Sequence, residues 1–179
     1  PVLVDMHGGV SRPEFIAEDE FAGYREGWAA EAETHGVILV VPPGRTDCAW
    51  WTAAGAAHVR ACIREAKRLG PVDDDRIFAT GFSDGGSGAY YLGLAEPDPF
   101  AGVIPLNGHP AVAAMASGRQ LYPQNADLLP WWIGHTADDP LYPGPTILPH
   151  WQAFLELGAT MTLVCYPVGG HQPVYLPEQ

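Results

Sequence analysis

Short apolar runs alternate with stretches of helical periodicity along the whole chain, and this alternation constrains the fold more than anything else in the sequence. The runs predict strands at residues 2–6, 37–41, 76–80, 102–106, 131–134 and 161–166. Val37 to Val41 is unbroken apolar sequence, as suits a strand covered on both faces of a parallel sheet. Between the runs lie predicted helices at 18–35, 54–69, 83–95 and 146–157. The first carries Phe21, Tyr24, Trp28 and Ala32 on one face, and the second Val59, Cys62, Ile63, Ala66 and Leu69. The last carries Ile147, Leu148, Trp151, Phe154 and Leu155. Gly36, Pro42-Pro43-Gly44 and Gly70-Pro71 punctuate the elements. Strand–helix alternation of this kind implies right-handed crossovers and an α/β fold: one doubly wound, mainly parallel sheet of about six strands. Residues 1–179 read as a single domain, with 107–130, where periodicity is weak, as a cap or irregular excursion over the site.

The chain starts at Pro1, inside its first apolar run, which predicts residues upstream of this start and early strands not included here. Secreted and cytoplasmic locations both remain open. A net charge of -12 with Lys67 as the only lysine leaves no basic surface for nucleic acid. No apolar run reaches the length of about 20 residues that spans a bilayer. Cys62 and Cys165 read as small buried hydrophobes, while Cys48 is left able to pair with another cysteine. The oligomeric state is not legible.

The sharpest local signal is Gly81-Phe82-Ser83-Asp84-Gly85, a G-x-S-x-G pattern between a predicted strand and a predicted helix. A serine on such a turn is lifted into the open, and the flanking glycines remove Cβ atoms that would clash. His7-Gly8-Gly9 ends the first strand. A segment there supplies one oxyanion-binding N–H, and the residue after the nucleophile supplies the other. The candidates are Gly9 and Asp84, with Val10 as the alternative to Gly9. Gly169-Gly170-His171 follows the last strand, where a histidine can reach both a serine and a carboxylate.

With His135-Thr136-Ala137-Asp138-Asp139-Pro140-Leu141-Tyr142-Pro143, the chain resembles α/β-hydrolase serine esterases, especially the polyhydroxybutyrate-depolymerase-like and feruloyl-esterase-like group. The resemblance covers nearly the whole chain. Those enzymes carry H-G-x-x-D-x-x-V-P, with the Asp as the acid of a triad. Counting from His135 and from Pro143 both give Asp139; counting from Gly134 favours Asp138. Thr136 stands where the pattern has Gly. The resemblance therefore implies Ser83, Asp139 and His171 as catalytic residues, in the chain order of that fold, and an esterase that needs no cofactor. Its substrate would be a small-molecule or polymeric ester. Val10, Trp50 and Tyr142 are the candidate substrate contacts, among an aromatic set that includes Trp51, Trp131 and Trp132. The same acyl chemistry serves peptidases and thioesterases, and a hydrolase-fold binding domain without turnover is the non-enzymatic alternative. No two of the seven histidines have close ligand spacing, so no metal site is expected. Asp73-Asp74-Asp75 reads as a solvated turn.

Overall fold

In the computed structural model, which describes residues 1–173, six strands form one parallel sheet in the order β2-β1-β3-β4-β5-β6. They are β1 (Val2–Met6), β2 (Ile38–Val40), β3 (Ile77–Phe82), β4 (Gly102–Leu106), β5 (Trp131–Thr136) and β6 (Met161–Tyr166). The helices are α1 (Glu18–Thr34), α2 (Ala53–Leu69), α3 (Asp84–Ala95), α4 (Pro110–Ser117) and α5 (Gly144–Glu156). Among the described residues no helix is long and apolar enough to cross a membrane.

Strand alternation separates the two faces. At β2, α1 lies over Val37, Leu39 and Val41, while α2 lies over Ile38 and Val40. The centre of the sheet is the driest part. Val2, Val4, Met6 and Ala79 are wholly or almost wholly buried, and α3 is buried along most of its length. At roughly 25 cal/mol per Å² of apolar surface, this central packing is the main stabilising term.

The structure alters several expectations. β3 begins at Ile77, because Asp73 accepts from the Asp75 N–H and winds residues 74–76 into a 3-10 turn. It continues to Phe82, and β5 continues through His135 and Thr136. The α5 stripe is narrower than its spacing suggested: Ile147, Trp151 and Phe154 are buried, while Leu148 and Leu155 are exposed. Leu69 ends α2 in the open. The Tyr24 side chain lies outside the described residues. Cys165 is exposed, not buried, because β6 is the sheet edge and half its residues face outward. Cys62 is half-buried, and all three cysteines are free thiols.

Residues 107–130 are ordered by their contacts with α3 and β5. His109 Nδ1 caps α4 by accepting from the Ala111 N–H. Asn125 donates to the Leu94 carbonyl, and Trp131 Nε1 to the Ala126 carbonyl.

Candidate active site

Four strands deliver their C-terminal ends to one place. The ladders pair Met6 with Gly81, Phe82 with Leu106 and Leu106 with Gly134. Ligands of open α/β sheets bind beyond this edge.

Ser83 follows β3 with φ 60° and ψ -119°, in the region that L side chains rarely adopt. The turn is tight on every side. A Cβ on Gly85 or Gly81 would overlap the Met6 carbonyl oxygen. Only glycine lets β1 and the start of α3 approach so closely. The Ser83 N–H is held by the Leu106 carbonyl at 3.0 Å. A Cβ on Gly8 would stand 3.1 Å from the Ser83 Cβ, so its absence keeps the space over the hydroxyl open.

From Ser83 a chain of short hydrogen bonds runs across the site. Ser83 Oγ lies 2.8 Å from His171 Nε2, and His171 Nδ1 lies 2.7 Å from Asp139 Oδ2. The His171 ring packs against Phe82 at 4.7 Å and edge-on against Tyr142 at 5.5 Å. Asp139 is 1% exposed. Its Oδ1 accepts from the N–H groups of Leu141 and Tyr142, at 2.8 and 3.0 Å. Its Oδ2 accepts from Asn107 Nδ2 as well as from His171. Burial opposes ionisation here, but these four donors outweigh it and hold the carboxyl below its ordinary range. The neighbouring Asp138 faces another way and accepts from the Gly170 N–H at 2.7 Å, tying down the histidine loop.

The loop after β1 is fixed from four sides. Trp50 Nε1 donates to the His7 carbonyl, and His7 Nε2 accepts from the Gly44 N–H. Arg12 Nε donates to the Gly9 carbonyl. Val10 donates its N–H to Asp84 Oδ2 at 2.9 Å, so this donor is already engaged. Burial holds the His7 ring below its ordinary pKa, which keeps it neutral.

The candidate substrate contacts separate. Trp50 is wholly buried, with its ring edge-on to His7, and is a core residue rather than a pocket wall. The Val10 side chain is also fully buried. Tyr142 does stand at the site: its hydroxyl meets the Ser83 and Ser87 side chains, and burial pushes the phenol above its ordinary value. Trp51 and Trp131 are buried in the core, and Trp132 is partly exposed.

Two contributors escaped the sequence reading. Asn107 is wholly buried between Thr136 and Asp139. Ser87, also buried, accepts from the His109 N–H. The signal for Asn107 was its place directly after β4, where a parallel sheet displays its site residues.

The model of the family described as Phospholipase/Carboxylesterase matches residues 51–175. The chain belongs to this α/β-hydrolase family. The candidate esterase NocK of Nocardia uniformis subsp. tsuyamanensis is 35% identical over 108 residues, 59% of this chain and 28% of NocK. Poly(3-hydroxyalkanoate) depolymerase C of Paucimonas lemoignei is 25% identical over 62% of this chain and 28% of its own length. The bifunctional acetylxylan esterase/xylanase XynS20E of Neocallimastix patriciarum is 25% identical over 66% of this chain. This family member therefore spans only 17–28% of the length of these relatives. The crystal structure of a thermostable esterase shares the fold, with a TM-score of 0.69 at 23% identity, covering 94% of this chain and 47% of that one.

Proposed function

We propose that this protein hydrolyses carboxylic esters through an acyl-enzyme on Ser83. The observation that carries this reading is the unbroken hydrogen-bond chain from Ser83 Oγ through His171 to Asp139. His171 Nε2 takes the hydroxyl proton as Oγ attacks the carbonyl carbon. Asp139 holds the imidazole with Nδ1–H toward it and stabilises the charged ring. The oxyanion is received by the backbone N–H groups of Gly9 and Asp84. Two features support that pair: Val10 is engaged elsewhere, and Asp84 opens α3, whose N-terminal dipole favours negative charge. The tetrahedral adduct then collapses. The C–O bond to the alcohol breaks, and His171 returns its proton to that oxygen. Water attacks the acyl-enzyme with His171 again as base, releasing the acid and restoring Ser83.

Tyr142 is the substrate-facing aromatic in this reading, since its hydroxyl and ring border both Ser83 and His171. The test is turnover of a short p-nitrophenyl ester. Ser83→Ala is expected to lower kcat by about 10⁶-fold, with an unchanged thermal transition. Retained turnover in that variant would remove Ser83 from the chemistry.

A further inference from the structure

Asn107 has no part in the steps above, yet it sits deeper in the site than any of the groups that react. It follows β4 with φ 41°, a left-handed conformation that asparagine tolerates better than most residues. Its Nδ2 lies 2.7 Å from Thr136 Oγ1, 2.7 Å from Asp139 Oδ2 and 3.4 Å from the Gly170 carbonyl. All three neighbours are acceptors here, so the amide can face them only with its nitrogen. That orientation leaves Oδ1 buried with no hydrogen-bond partner among the described residues. A buried unpaired amide oxygen is costly, since it has given up water without gaining a donor.

Thr136 extends the connection. Its hydroxyl accepts from Asn107 and donates to the carbonyl of Gly170, the residue before His171. Asn107 thus touches the carboxylate that orients His171 and, through one hydroxyl, the backbone that carries it. Thr136 is the position where this chain departs from the glycine of the esterase pattern. A glycine there would have no hydroxyl to make this bridge.

We infer that Asn107 is a positioning residue for acyl transfer: it fixes the rotation of the Asp139 carboxylate and, with Thr136, the path of the histidine loop, so that His171 stays in line with Ser83. The inference rests on the Ser83–His171–Asp139 reading above.

The experiment is steady-state hydrolysis of p-nitrophenyl acetate across pH 5 to 9, with thermal melts of each variant. Asn107→Asp keeps the shape and the backbone preference but sets a second carboxylate beside Asp139. It is expected to lower kcat by about 10²-fold with KM nearly unchanged, as misplacement of a reacting group does. Asn107→Gly, which accepts the same backbone angles, and Thr136→Val are each expected to lower kcat by roughly 10-fold, as misplacement of the histidine would. Thr136→Ser should restore it. Losses of activity that track only the folded fraction overturn the inference. So does a Thr136→Val enzyme as fast as Thr136→Ser. Ser83→Ala measured alongside separates the two readings. If it is dead while the Asn107 variants are normal, only the positioning role fails; if it turns over, both fail.

Discussion

Asp5 in β1 and Asp139 after β5 are both almost wholly out of water, at 5% and 1% exposure, yet their surroundings push them in opposite directions. Burial raises Asp5 to about 7, and the hydrogen bond from the Trp28 side chain only partly offsets that. Asp139 has four donors and is held below its ordinary value. Burial is therefore not what sets the charge of a carboxyl in this fold; the number of donors aimed at it is. One region packs a carboxyl between sheet and helix whose pKa is pushed up to about 7. The other assembles backbone and side-chain donors around an anion at the sheet edge where the serine stands.

The largest test of this contrast is at the charged end. Asp139→Asn keeps an acceptor for the Leu141 and Tyr142 N–H groups but removes the charge that orients and stabilises the imidazolium. It should lower kcat by about 10⁴-fold while the thermal transition stays close to wild type. Asp138→Asn, which can still accept from Gly170, should stay within about 10-fold, a far smaller loss than full misplacement of a reacting group. Equal losses would move the acid to Asp138.

The Asp5 end is read in stability. The raised folded value means that the unfolded chain loses the Asp5 proton first as pH rises. Asp5 therefore lowers stability progressively between about pH 4 and pH 7, and the cost is constant above that window. Asp5→Asn, a neutral mimic, should gain up to roughly 4 kcal/mol at pH 8 and almost nothing at pH 4, measured by urea unfolding at the two pH values. An equal gain at both would mean that packing, not ionisation, separates the variants. The smallest effect belongs to Trp28→Phe. Losing this donor to Asp5 should move the end of the declining window upward and cost about 1 kcal/mol. A window that stays in place would assign the Trp28 contact no electrostatic role.

The strands were legible because each is a compact apolar run with no competing helical period. β4 and β6 match their runs residue for residue. The sheet edge was not legible: nothing in Met161 to Tyr166 says that, among the described residues, no strand pairs with its outer side, so the exposure of Cys165 could not be read. Trp50 misled for a similar reason. An aromatic in a loop looks like a pocket wall until its partner, here His7 some 43 residues away, is placed beside it. Ser83, Asp139 and His171 drew attention because each follows a strand end with glycine or proline nearby. Asn107 also follows a strand end, with Gly108 beside it, but an amide is none of the three triad residue types. Its part depends on the coincidence of the β4 and β5 ends, which only the sheet register supplies.

That register also has a temporal consequence. β1 precedes both of its sheet neighbours in the chain, and it lies between β2 and β3, pairing Val2 with Ile38 on one side and with Ile77 on the other. A chain leaving the ribosome therefore carries Val2–Met6, all but one residue of it buried in the finished sheet, with one edge unpaired until residue 82 is available. Such non-local pairing makes folding slow and leaves an apolar strand waiting for its neighbour. During synthesis, the strand that ends at the glycines over Ser83 waits with an open apolar edge, the condition in which strands pair with other chains.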